Sequence, residues 1–88
     1  MANSPSANKR IRQNEQRRLR NKSVVSEIKT LTKKFTASVQ KGEAEAARAL
    51  YPVVIAKMDK AGRRHIYHRN TVARKKSALT RLLNTLPS

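Results

Sequence analysis

Between Pro5 and Gln40 no glycine or internal proline interrupts the chain, and only two glycines and three prolines occur over all 88 residues. A chain punctuated so rarely has few places to turn. It is confined to a small number of long elements. Ser4-Pro5 is a helix start signal, an N-cap candidate followed by proline at the first helical position. Lys41-Gly42 has the form of a helix end, with a late cation and a glycine able to take positive φ. Glu43 and Glu45 follow, where a second helix dipole favours acids. Gly62 predicts the end of that segment near Ala61. Asn70-Thr71 predicts the cap of a third, which ends before Pro87. The boundaries are thus about 5–40, 43–61 and 70–86.

The apolar spacing agrees with helices. Val24, Ile28, Leu31, Phe35 and Val39 recur every three or four residues. Ala47, Leu50, Tyr51, Val54, Met58 and Ala61 form a second helical stripe, and Val72, Leu79, Leu82, Leu83 and Leu86 line one side of a third segment. Period-two alternation is absent, which predicts no strands. Eleven of the apolar residues are alanine and only Phe35, Tyr51 and Tyr67 are aromatic. A core this thin suits close helix contact. The expected architecture is all-α: one domain over 1–88, an antiparallel three-helix bundle with a long, projecting basic first helix. Pro52 conflicts with the second helix and predicts a kink or interruption between Arg48 and Val54.

The first helix cannot dock along its whole length. In 7–22 the large apolar residues are Ile11 and Leu19, eight apart. Lys9, Arg10, Arg12, Arg17, Arg18, Arg20 and Lys22 point in all directions on a helical wheel. A segment charged all round has no face for a core. It should project beyond the bundle, and fray in isolation because like charges crowd it.

The net formal charge of +16 is unevenly placed. Residues 1–22 hold seven bases and one acid, and residues 57–88 hold nine and one. The middle, 23–56, has five bases and three acids. Solubility asks a small domain for a net charge of about 2–8. The excess calls for a polyanion, either nucleic acid or an anionic membrane surface.

Other chemistries are poorly supplied. There is no cysteine, hence no disulfide or thiolate metal site. No apolar run has the length of a membrane span, and the N-terminus lacks the apolar region of a signal peptide, which predicts a cytoplasmic protein. His65 and His68 are the only histidines and Asp59 the only aspartate. These groups with so small a core predict no catalytic site and no enzyme. Two histidines three apart read as solvated or RNA-facing loop residues rather than half a metal site. No glycine-rich phosphate loop is present. The expectations are no cofactor, no metal, no small-molecule substrate, no membrane and no obligate homo-oligomer.

Two blocks carry the binding chemistry. Arg17-Arg18-Leu19-Arg20-Asn21-Lys22-Ser23 combines guanidinium forks, which pair bidentately with phosphate, with amide and hydroxyl groups for phosphate and sugar oxygens. His68-Arg69-Asn70-Thr71-Val72-Ala73-Arg74-Lys75-Lys76-Ser77 gathers cations around a helix start, whose free N–H groups and dipole favour phosphate. Arg74 and Arg81 share the face opposite Leu79. Lys75 falls near the apolar stripe and must snorkel, unless the core ends before it.

Asn8-Lys9-Arg10-Ile11-Arg12 and the two blocks resemble the bacterial small-subunit ribosomal protein S-twenty family. Lys29-Thr30-Leu31, Lys33-Lys34-Phe35 and Asp59-Lys60-Ala61 fit it as well. The resemblance covers essentially the whole chain. It implies a three-helix bundle with a long first helix along small-subunit ribosomal RNA, direct RNA binding, other small-subunit components as possible neighbours, and no catalysis. The matched positions in the basic blocks, with Lys29, Lys33 and Lys34, inherit an expectation of RNA contact. The family usually has a glycine near the position of His65, whereas this chain has Gly62, and Pro52 is unusual in the second helix. Both departures bear on the end of that helix and the turn after it. The rival readings are a small DNA-compacting protein and a membrane-surface helical protein. The first would wedge an exposed apolar side chain between base steps. The second needs an apolar face that 7–22 lacks.

Overall fold

The computed structural model describes residues 5–86, which form three helices and no strand: α1 (Pro5–Gln40), α2 (Ala44–Arg63) and α3 (Arg69–Leu83). The cap expected at Ser4 and the stop at Pro87 lie outside the described residues. With 36 residues, α1 is roughly 54 Å long, and it sets the 61 Å long axis of the molecule.

α1 ends as its sequence predicts. Gly42 takes φ 73, the Glu43 N–H donates to the Ser38 carbonyl, and the Gly42 N–H donates to Val39. This pair of bonds is a Schellman motif, and it satisfies carbonyls the helix end would otherwise orphan. α2 ends differently from expectation. Gly62 does not terminate it: the helix runs on to Arg63, and His65 takes φ 58 instead. The same bond pair recurs there, from Ile66 N–H to Ala61 and from His65 N–H to Gly62. Gly62 has a packing role, since a Cβ on it would lie 3.1 Å from Cγ2 of Val72 on α3.

Two further expectations are corrected. α2 runs without interruption through Pro52, between Arg48 and Val54 as elsewhere. Pro52 lies on the exposed side of the helix, while its neighbours Tyr51 and Val54 face the core and hold the turn. α3 is capped by His68, not by Asn70-Thr71: the Asn70 N–H donates to His68 Nδ1 at 3.1 Å. It closes at Leu83, short of 86, and Asn84 to Leu86 follow as a turn.

The core comes from the expected stripes. Ile28, Phe35 and Val39 from α1 meet Ala47, Val54, Met58 and Ala61 from α2 and Val72 and Leu79 from α3. Phe35 and Tyr51 pack as tilted rings 6.0 Å apart. Contacts are richest between α1 and α2, fewer between α2 and α3, and slight between α1 and α3. Glu27 pairs with Lys57 and Phe35 with Tyr51, so partners ascend α1 as they descend α2. Asp59 with Lys76 and Tyr51 with Thr80 set the same opposed register between α2 and α3. The Thr80 hydroxyl donates to the Lys76 carbonyl, so in the 2.6 Å contact Tyr51 is the donor. Ser38, the one buried polar residue among those described, is satisfied by its bond to the Lys34 carbonyl.

Candidate nucleic-acid interface

Every residue from Asn8 to Arg20 is exposed. The reason is local: past Val24 the inward stripe of α1 is replaced by polar and cationic residues, and no element packs on them. Ile11 and Leu19 are exposed too, but they stand two turns apart with no large apolar residue between them, so they make no continuous apolar face. The rod is therefore cationic on every side. Lys9, Arg10, Arg12, Arg17, Arg18, Arg20, Lys22 and Ser23 are all exposed, and Asn21 is half-buried where the rod meets the bundle. Arg18 is the cation on it held by an acid. Its Nη2 lies 2.7 Å from Glu15 Oε1. That hydrogen bond, and then the charge itself, hold the Glu15 carboxyl below its usual range and raise the Arg18 guanidinium. Both groups are open to solvent, so the pair adds little stability. Lys29, Lys33 and Lys34 continue the cationic surface along the outside of the bundle.

The second block surrounds the start of α3. His68, Arg69, Asn70, Arg74, Lys75, Ser77 and Arg81 are exposed, and Thr71 is half-buried. Two shallow depressions flank Arg81, one with Thr71, Arg74 and Lys75, the other with Lys76, Ser77 and Thr80. The His68 ring occupies the Asn70 N–H, so that group is not free for phosphate as the sequence suggested. Lys75 solves its awkward position through Tyr67: its Nζ lies 5.6 Å from the ring centroid, a cation–π contact. Burial raises the pKa of the Tyr67 hydroxyl. Lys76 turns inward and meets Asp59 at 2.9 Å. It is the candidate least open to an outside anion.

α1 and α3 touch only slightly, so the two blocks stand on different helices that α2 joins. Sequence reasoning passed over Lys60, Arg63 and Arg64, which are exposed at the end of α2. The spacing of Lys57, Lys60 and Arg64 along one helix edge was the available signal. Among the described residues no group of three His, Cys, Asp or Glu could hold a metal ion, and no helix is long and apolar enough to cross a membrane.

Fold and charge together define a small, basic, all-α protein whose polar surface suits a polyanion. The chain belongs to the ribosomal protein S20 family, whose pattern matches residues 2–84. It is similar to the small ribosomal subunit protein bS20 of Borrelia hermsii, 49% identical over 83 residues, covering 94% of this chain and 98% of the relative. The bS20 of Halalkalibacterium halodurans is 44% identical over 85 residues, covering 97% and 93%. That of Mycolicibacterium gilvum is 45% identical over 86 residues, covering 98% and 100%.

Proposed function

We propose that this chain is a structural constituent of the bacterial small ribosomal subunit, in the cytoplasm, that binds small-subunit ribosomal RNA directly and holds RNA helices together. The observation that carries the reading is the exposed rod of 8–20, cationic on all sides and packed on nothing. A helix of that kind is at rest only between phosphates. Neutralising phosphates of neighbouring RNA helices from several sides removes the repulsion that keeps those helices apart. The bundle fixes the rod relative to the second block, so two RNA elements bound by them acquire a set relation. Family membership supports the ribosomal assignment.

The residues proposed to touch RNA are the exposed cations of the rod with Asn21 and Ser23, then Lys29, Lys33 and Lys34. His68, Arg69, Asn70, Thr71, Arg74, Lys75, Ser77 and Arg81 form the α3 set. Lys76 joins it only by exchanging Asp59 for phosphate. Backbone and shape recognition fits better than base stacking, since three aromatics are available and Phe35 is buried. No catalytic step is involved, and other small-subunit components are the expected neighbours.

Binding to small-subunit RNA fragments across a salt series tests this. With about eight phosphate contacts the logarithm of affinity should fall with a slope of roughly −6 to −7 against log salt. Equal affinity for any duplex DNA at moderate salt would overturn the RNA assignment in favour of a DNA-compacting role.

A further inference from the structure

The hairpin of α1 and α2 carries a third cationic feature, separate from both blocks. Lys57, Lys60 and Arg64 follow one edge of α2 at spacings of three and four. That edge faces α1. Lys57 reaches Glu27 there at 2.8 Å, and a cleft of about 170 Å³ lies between the helices, with Val24, Lys60, Arg64 and Ile66 among its walls. One turn further along α1 is a second depression of about 220 Å³, walled by Gln13, Gln16, Arg17 and Arg20. Arg20 and Val24 are four apart and so stand one above the other on the helix. The two depressions are successive parts of one trough. It begins in the seam of the hairpin and continues along the rod where α2 has ended.

The charge of the trough is one-sided. Its acid, Glu27, is engaged by Lys57. Arg17, Arg20, Lys60 and Arg64 are exposed and form no ion pair among the described residues. Four free cations are strung along an open channel, with side-chain amides at the outer end. A compact anion would satisfy one end and leave the other bare. An extended polyanion can meet all four. Arg forks grip phosphate bidentately, and the glutamine amides suit sugar hydroxyls or base edges.

We infer that this trough seats the sugar–phosphate backbone of a single strand of folded RNA, gripped by Lys60 and Arg64 on the α2 side and by Arg17 and Arg20 on the α1 side. The inference rests on the RNA-binding reading above and adds Lys60 and Arg64 to it. It also gives the rod a direction of approach, because the strand entering the seam must continue along one side of α1.

The test uses the full chain and bacterial small-subunit ribosomal RNA. Three double variants are compared: Lys60→Gln with Arg64→Gln, Arg17→Gln with Arg20→Gln, and Arg74→Gln with Lys75→Gln as the α3 reference. The trough side chains are exposed and form no ion pair, so both trough variants should keep the helical circular-dichroism spectrum and melt no lower than the parent chain. Each trough variant should lose about tenfold in affinity or more, the scale of losing hydrogen bonds to charged groups. Its salt slope should become shallower by about 1.4–1.8, for two phosphates. Hydroxyl-radical protections lost in the two trough variants should fall on neighbouring nucleotides of one strand. Unchanged affinity and slope for Lys60→Gln with Arg64→Gln, while the α3 variant weakens, would overturn the trough and leave the RNA-binding reading intact. Protections lost on unconnected strands would also overturn it. No effect in any of the three would overturn the RNA-binding reading itself.

Discussion

His65 is the one non-glycine residue with positive φ among the described residues. A Cβ in the left-handed region crowds the following carbonyl and costs about 1 kcal/mol. The chain accepts this because both hydrogen bonds of the motif close α2 at that point, and Ile66 and Tyr67 then pack on the core. His65→Gly is therefore expected to stabilise the free protein by about 0.5–1 kcal/mol, with part of the gain lost to the freer unfolded chain. Gly42→Ala should do the opposite by a similar amount. Its added Cβ would meet nothing within 4 Å, so the change reads backbone strain, offset in part by the stiffer unfolded chain, with no packing clash. Urea unfolding of both variants checks the pair, and equal shifts of the same sign would refute the assignment of strain. The sequence showed Gly42 plainly, since glycine after a late cation ends a helix. It misdirected at Gly62, where the same residue type is present for a close approach to Val72. Which task a glycine performs depends on what packs over it, and that is a tertiary fact.

At the scale of elements, the three helices were legible because their apolar stripes run with helical period and loop signals are scarce. What the stripes could not show was tolerance. Pro52 removes one backbone donor from α2 and crowds the preceding turn, a penalty of up to about 3 kcal/mol in a helix interior. The helix persists because Tyr51 and Val54 on one side, and Met58 and Ala61 a turn on, are fixed by the core. Tertiary packing overrides a local preference here. Pro52→Ala should restore the donor without emptying any core volume, as the ring is exposed. The expected outcome is a stabilisation of about 1–2 kcal/mol, seen as a higher denaturant midpoint at unchanged m. A loss of stability would mean that the proline ring packs against something, contrary to its exposure. The candidate site was likewise half legible. Runs of adjacent cations stand out in a sequence, so the exposed rod and the cations around the α3 start could be read there. Lys60 and Arg64 lie outside such runs, and they come to the wall of the seam beside Val24 only when the hairpin closes. Lys76 was included because nothing in its run shows that it turns to Asp59.

The whole molecule is shaped by a charge it does not neutralise. Few ion pairs stand against a net +16: among the described residues Glu15–Arg18 is open to water, and Glu27–Lys57 and Asp59–Lys76 are partly so. The thin core must hold the helices together against that repulsion, with the rod left outside the balance. Salt should therefore act on this protein in two opposite senses. Screening shortens the range of repulsion from about 30 Å at 0.01 M to about 8 Å at 0.15 M, so the free chain should melt at a higher temperature as salt rises. The complex with RNA should weaken over the same range, since binding releases counterions that added salt opposes. The two melting curves converge. At low salt RNA should raise the melting temperature strongly, and at high salt the bound and free proteins should melt together. Calorimetry with and without RNA across one salt series measures both. A free chain whose melting temperature is flat or falls with salt would show that self-repulsion is not what the polyanion relieves.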